Sequence, residues 1–470
     1  MPSKIITLDP QQYGDAHATR KVESVARRLR YRALGIECRG LGITSLLFAH
    51  HADDQAETTL MRLANNYLGN GLAGMRREAR IPECEDLYGV NESGSPCVLR
   101  REYAPPVAKA QNVDMLVESG GITILRPLLS YTKDRLVATC EEASTRWVED
   151  HTNKDRSLTL RNTVRYLHEA DLLPKALRRP SLCAIAARTS DRIASLESRV
   201  DEIFRSFEIT FDPITGHAIC KIPFQTAKEI GSMPDSARTR AMLLRKVLML
   251  VVPTETMDLS TLEAASLKFL QLGGSGHDVK RLAPIVAAGA IAARLDGAEG
   301  TFMYEIRRAP PPRNAKESRL DLAISLPLQR YERARRQDVL WSEWKLWDKR
   351  YWIRIGSPAR EDGQTLDVVV RMMTPEDISS LRQELGRKSS LLNGLSKIKG
   401  HLRFLLPVIV QILPDELNRI VALPSLGWSR DMWSFRVGEQ DHRHARYYNI
   451  RYKHIDDSLT SPMENESIVQ

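Results

Sequence analysis

The chain has 470 residues, 42% of them hydrophobic, enough for more than one packed core. Its 68 Lys and Arg against 59 Asp and Glu leave a net charge of +9, a balance that favours a polyanionic partner, nucleic acid first among them. Cys38, Cys84, Cys97, Cys140, Cys183 and Cys220 form no C-x-x-C pair, which argues against a zinc site or a disulfide framework, and no apolar run is long enough to span a bilayer.

Met1 to Pro10 resembles neither a secretory signal nor an Arg-rich transit peptide, and Ile5 to Leu8 is predicted to be a strand. Glu23 to Cys38 is predicted as a helix. Val25, Leu29 and Ala33 share one face, and Arg27, Arg28, Arg30 and Arg32 crowd its surface. Leu46 to Ala49 is a short apolar run of the kind a buried parallel strand shows. It ends in His50-His51-Ala52-Asp53-Asp54-Gln55-Ala56-Glu57-Thr58, the most informative stretch of the chain. Ala56, Leu60, Leu63 and Tyr67 recur at helical spacing, so a helix is expected from Asp54 to Leu68. The carboxylates then sit at the carboxyl end of a strand, where open α/β sheets place their ligands. Asp54 and Glu57 alone fit a capping box. Capping leaves His50, His51, Asp53 and Gln55 unexplained, so the density of the block points to chemistry as well.

Gly69 to Met75 reads as a glycine-rich turn, and Pro82 to Gly121 as a long irregular insertion. Ile122 to Leu125 is a further strand, followed by Arg126-Pro127 and by a helix over Lys133 to Glu142. Alternating strands and helices predict a parallel sheet. Leu172 to Ala293 reads as helical and basic, with Arg238, Arg240, Arg245 and Lys246 among Ala241, Leu243, Leu244 and Val247. Arg308 to Ser318, with three consecutive prolines at 310–312, is the best linker. Beyond it, Trp341, Trp344, Trp347 and Trp352 lie near Arg333, Arg335 and Arg336. They are suited to stacking bases but more often fill a core. The tail after Asp457 is polar.

Three segments look like sites and are read otherwise. Ser119-Gly120-Gly121-Ile122-Thr123 starts like a phosphate loop, but its glycines precede a strand instead of following one, so a turn is expected. Gly273-Gly274-Ser275-Gly276 reads as a helix break and Asp441-His442-Arg443-His444 as a solvated loop.

Taken together, these residues resemble the tRNA(Ile)-lysidine synthase family of the ATP-pyrophosphatase group. The resemblance rests on His50 to Thr58, Gly71-Leu72-Ala73-Gly74-Met75 and Arg126-Pro127-Leu128-Leu129. It continues in Trp147-Val148-Glu149-Asp150 with Asn153, and in Arg161-Asn162-Thr163-Val164-Arg165. Upstream, Glu23, Ala26, Arg27, Arg30 and Tyr31 resemble the family's E-x-x-A-R-x-x-R-Y helix. It is good over Ile5 to Leu177, looser through the helical region, and returns within Val370 to Leu426.

The resemblance implies a doubly wound parallel α/β sheet of ATP-pyrophosphatase type, a helical domain and a smaller C-terminal α+β domain. The boundaries expected are a catalytic domain over 1–175, a helical tRNA-contacting domain over 176–307, a linker over 308–319 and a C-terminal domain over 320–470. It implies a carbon–nitrogen ligase. ATP, as its Mg2+ complex, adenylates the C2 oxygen of the wobble cytidine of tRNA(Ile) and releases pyrophosphate. The amine of free lysine then attacks C2 and AMP leaves. Lysine's ammonium has a reference pKa near 10.4 and must lose a proton to attack. Asp54, with Asp53 and His51, is the expected catalytic group. His50, Glu57, Arg126, Arg161, Asn162 and Arg165 are expected to bind substrate and ATP, with no resident metal.

The family also opens with a strand, an S-G-G-x-D-S loop and a second strand, and no segment here matches them. The chain is expected to begin just before the family's third strand. It should then lack two central strands and, without the phosphate cradle, show little ligase turnover. Two other readings remain: a non-catalytic tRNA-binding homologue, and a metal-dependent phosphohydrolase using His50, His51, Asp53 and Asp54. No membrane association is expected, and the location expected is the mitochondrial matrix or the cytoplasm.

Overall fold

The computed structural model describes residues 3–8, 22–105, 115–148, 160–253, 257–271, 283–295, 300–310, 321–327, 339–357, 365–386, 389–413, 418–430, 434–436 and 444–463. These residues form two compact units. One comprises Met1–Cys84 and Gly121–Glu202, the other Glu85–Gly120 and Ile203–Gln470.

The first unit is α/β. Helix α1 (Val22–Gly40) leads to the strand Ser45–Leu47 and helix α2 (Ala52–Ala64). The strand Thr123–Leu125 is central in a three-stranded sheet. It pairs in parallel with Ser45–Leu47 and antiparallel with Glu78–Arg80. Leu46 and Ala79 both lie opposite the fully buried Ile124. Helices α3 (Lys133–Glu142), α4 (Leu160–Glu169) and α5 (Arg179–Arg205) follow. The apolar stripe of α2 packs Ala56 and Leu60 against Val164 of α4 and Leu182 of α5. Each large side chain so buried contributes about 1.5–3 kcal/mol. Residues 5–8, expected as a strand, have no regular structure.

The second unit is mixed α+β, and the region expected to be helical is only partly so. Its helices Phe224–Ser232, Ser236–Met249 and Leu259–Ser266 accompany a five-stranded antiparallel sheet. In that sheet Thr301–Arg308 lies between His217–Pro223 and Ala290–Leu295. Arg308 therefore ends a strand instead of opening a linker, and residues 311–320 lie outside the described residues. A second sheet runs from Leu322–Pro327 through Thr365–Met372, Pro407–Gln411 and Arg419–Leu423 to Trp428–Ser429.

The insertion expected to be irregular carries two strands, Asn91–Leu99 and Val117–Gly121. They join a sheet with C-terminal strands: Val117 pairs with Tyr452, and Leu99 with Thr460. Ser119 and Gly120 thus lie in a strand and not in the expected turn. Trp347 and Trp352 are buried in this sheet. Arg333, Arg335, Arg336, the glycines at 273, 274 and 276, and residues 441–443 lie outside the described residues.

Candidate active site

The strand Ser45–Leu47 hands the chain to α2 through Phe48, Ala49, His50 and His51. Phe48 still bonds to the sheet, its N–H reaching Leu125 O at 2.9 Å, and the Ala52 N–H reaches Tyr131 O at 2.8 Å. These bonds fix where α2 begins relative to the tip of Thr123–Leu125. His51 is the N-cap, and Asp54 closes a capping box by accepting the His51 N–H at 3.0 Å. Two acidic side chains in the first turn also suit the positive end of the helix dipole.

The block buries its polar side chains instead of presenting them to solvent. Asp53 is 6% exposed, Asp54 8% and Glu57 3%. Each has a cationic neighbour. Glu57 Oε1 accepts from Arg165 Nε at 2.6 Å, and its Oε2 lies 3.2 Å from Arg161 Nε. Arg165 Nη2 also reaches Asp54 Oδ1 at 3.5 Å, while His51 Nε2 lies 3.4 Å from Asp54 Oδ2. Asp53 Oδ2 accepts the Lys133 N–H at 3.2 Å, and its Oδ1 lies 3.6 Å from Arg179 Nε. The helix periodicity of α4 puts Arg161 and Arg165 on one face, one turn apart, with Asn162 buried beside them.

Burial pushes the Glu57 carboxyl above its ordinary value, against the pull of the Arg165 hydrogen bond and of both guanidinium charges. Burial acts on Arg165 too, but its bond to Glu57 and the charges of Glu57 and Asp54 hold it above its usual value.

His50 points elsewhere. Its Nδ1 accepts from Arg126 Nε at 3.3 Å, and its ring stacks on Phe48 with centroids 5.3 Å apart. Burial, then the positive charges of Arg126, Arg161 and His51, lower its pKa, with Asp54 opposing. Arg126 is fixed by its Nη1 bond to Arg76 O at 2.8 Å. His50, Thr58, Arg126 and Arg161 line a cavity of about 750 Å³. Arg27, Arg30, Arg62, Arg76 and Arg80 also line it, with Tyr31 and Tyr67, and no acidic side chain lines it among the described residues.

All nine residues singled out from the sequence therefore gather around the start of α2. They face two ways. Asp53, Asp54 and Glu57 meet the basic residues of α4 and α5, and His50 and Arg126 face the arginine-lined cavity. His50, His51, Asp53 and Asp54 do not converge on a common point, as shared metal ligands would have to. Among the described residues no group of three or more His, Cys, Asp or Glu is placed to hold a metal ion. Arg179 was missed in the sequence; a basic pair, Arg178-Arg179, before Pro180 was its only signal. The loop contacts of Gln55 were missed as well. Trp147 and Val148 are exposed, and Glu149, Asp150 and Asn153 lie outside the described residues.

The sequence that builds this arrangement has counterparts among known proteins. Residues 3–170 match the family described as the PP-loop domain. A probable tRNA(Ile)-lysidine synthase of Schizosaccharomyces pombe is 26% identical over 421 residues, covering 88% of this chain and 76% of that protein. The tRNA(Ile)-lysidine synthase of Bradyrhizobium diazoefficiens is 31% identical over 224 residues, 48% of this chain and 50% of that protein. That of Novosphingobium aromaticivorans is 30% identical over 183 residues, 39% of this chain and 44% of that protein. The chain thus spans half or less of the length of these two bacterial relatives. It carries a PP-loop domain of α/β type, followed by further structure. Over the matched stretches it is similar to proteins named tRNA(Ile)-lysidine synthases. No helix among the described residues is long and apolar enough to cross a membrane.

Proposed function

We propose that this protein is an ATP-dependent ligase that joins lysine to C2 of the wobble cytidine of tRNA(Ile). ATP adenylates the C2 oxygen with loss of pyrophosphate. The lysine amine attacks C2, and AMP departs with that oxygen. The observation that carries the reading is the adjacency of two environments. Buried carboxylates at the start of α2 suit an incoming amine, and seven arginines in the cavity beside them suit a polyanion.

In this reading Asp54, with His51 beside it, holds the lysine ammonium and takes its proton, since only the free amine is nucleophilic. Glu57 fixes Arg161 and Arg165, with Asn162 next to them, against the developing negative charge. Arg126 and His50 contact the nucleotide or the RNA from the cavity side. Mg2+ fits as a complex with the nucleotide. It would take its ligands mainly from phosphates and water, which leaves Asp54 to the lysine amine. The six free cysteines suit a reducing compartment, the mitochondrial matrix or the cytoplasm, which localisation of the tagged protein decides.

The deciding experiment supplies the purified chain with labelled lysine, ATP and tRNA(Ile). Label in the RNA and matching AMP are expected, at low turnover because no segment matches the S-G-G-x-D-S loop, and both should be lost when lysine or tRNA is omitted. RNA binding with no lysine-dependent AMP, unchanged by Asp54→Asn, would instead establish a binding protein without ligase chemistry.

A further inference from the structure

The glycine-rich segment after α2 does more than turn the chain. It forms a 3-10 turn over Gly69–Ala73, and Ala73, Met75 and Arg76 line two cavities at once. One is the arginine-lined cavity of about 750 Å³, the other a smaller one of about 520 Å³ beside α5. The segment is therefore a wall between them.

Two side chains of α2 hold that wall. The Gln55 amide uses both its ends: Oε1 accepts the Met75 N–H at 2.7 Å, and Nε2 donates to Ala73 O and Met75 O, each at 3.2 Å. About two turns further along α2, Arg62 Nη1 donates to Gly71 O at 2.9 Å and to Gly74 O at 2.7 Å. Gly74 makes the close approach possible. Its φ is +64°, and a Cβ there would lie 2.6 Å from the Gln55 side chain. Gln55 is itself buried, at 8% exposure. A buried amide whose donor and acceptor are both matched by backbone is sensitive to any change that unpairs one of them.

We propose that Gln55 and Arg62 are positioning residues that lock the 69–76 wall to α2, so that the aperture of the arginine-lined cavity is set by the same helix that carries Asp53, Asp54 and Glu57. The latch touches no reacting atom. It sets how well an RNA anion fits the cavity and leaves the chemical step alone. This rests on the ligase reading for the identity of the ligand, but the latch itself is a statement about the backbone of Met75.

The test uses the full chain with Gln55→Glu, which keeps an acceptor for the Met75 N–H but turns a carboxylate toward two carbonyls. Gly74→Ala, alone and with Gln55→Ala, attacks the latch from the other side. Amide exchange at Met75, affinity for a labelled RNA stem-loop, and AMP formation at saturating RNA are measured, with melting to confirm folding. We expect Gln55→Glu to speed Met75 exchange about tenfold or more and to raise the half-saturating RNA concentration several-fold, with AMP formation at saturation unchanged. Gly74→Ala should do the same, and should harm the protein less when Gln55 is already alanine, because the clash is then relieved. Unchanged Met75 exchange in Gln55→Glu overturns the latch. Faster exchange with unchanged RNA affinity overturns its role in binding. If the wild type binds no RNA, the ligase reading and the binding role fail together, while the exchange and the Gly74–Gln55 coupling still decide the latch.

Discussion

Arg165 donates its Nε to Glu57 Oε1 at 2.6 Å across 108 residues of sequence, a contact that binds α4 to α2. Arg161, one turn earlier, lies 3.2 Å from the other oxygen of the same carboxylate. One buried acid thus aligns two guanidiniums. Removing one partner of a buried pair costs far more than the intact pair contributes, because the charge left behind is desolvated. Glu57→Gln should therefore destabilise by about 2–4 kcal/mol, below the value for a fully enclosed pair because both arginines open partly to solvent. Urea unfolding checks this. A loss under about 0.5 kcal/mol would place the pair with ordinary surface ion pairs.

His50 gives the site a pH signature. Burial and the neighbouring cations hold its pKa below the ordinary 6.5, so the folded protein favours the neutral ring. The stability from this group is fully present above about pH 6.5 and is lost as pH falls through the folded-state value, since the unfolded chain takes up the proton first. Denaturation at pH 7.5, 6.5 and 5.5 should show stability declining on the acid side, with a shallower decline in His50→Gln. A steeper decline in the variant would reverse the sign of the shift.

The start of α2 was legible because its signals are local. An apolar run, a cap and a helical repeat all fall within twenty residues, and α1 and α3 were found the same way. Strand pairing was not legible. Glu78–Arg80 is three residues long with no alternation, and it becomes a strand only because Thr123–Leu125 offers it an antiparallel edge. Asn91–Leu99 contains Gly94 and Pro96, residues that read as loop, and its partner Thr460–Pro462 lies at the far end of the chain. In the site the acids were visible as a block. Arg161 and Arg165 came from the family resemblance, and Arg179 from nothing but the structure, because a long-range ion pair leaves no periodicity behind.

The insertion is tied to the C-terminal strands by Glu118, which is fully buried. It accepts from Tyr88 Oη at 2.9 Å, the Gly94 N–H at 2.8 Å and Arg451 Nη1 at 2.8 Å. Trp344 stacks on Tyr88 with centroids 4.8 Å apart, and Arg451 lies over its ring at 4.8 Å. Burial and the Glu118 carboxylate push the Tyr88 phenol well above its usual value, so it remains a donor at any physiological pH. Glu118→Ala should cost about 3–5 kcal/mol by leaving three donors without their acceptor. A double-mutant cycle of Tyr88→Phe and Arg451→Lys should show coupling of about 0.5–3 kcal/mol, and additive effects would argue against a single network.

The arginine-lined cavity predicts how RNA affinity responds to salt. Arg27 and Arg30 line it from α1. If each neutralises one phosphate, Arg30→Gln should weaken RNA binding similarly for all sequences and reduce the slope of log affinity against log salt by about one. Anisotropy titrations across a range of salt concentrations measure that slope. A variant with wild-type slope would place the RNA elsewhere.

Asp53 and Asp54 are adjacent in sequence but differently engaged, and the difference separates their variants. Asp53 accepts the Lys133 N–H at the start of α3 and faces Arg179 of α5, so it braces the helices around α2. Asp54 spends one oxygen on the His51 N–H and is only loosely met on the other, at 3.5 Å from Arg165. In the proposed reaction that oxygen receives the incoming ammonium. Asp54→Asn keeps an acceptor for the cap but cannot take a proton, so lysine transfer should fall by about 100-fold or more with little change in melting. Asp53→Ala removes an acceptor and a charge partner together, so its main loss should be stability, about 1–3 kcal/mol, as its buried neighbours lose their contacts. Single-turnover lysine transfer and urea unfolding on both variants distinguish the roles. If Asp54→Asn turned over normally and Asp53→Asn, still folded, did not, the amine would have to be assigned to the other carboxylate.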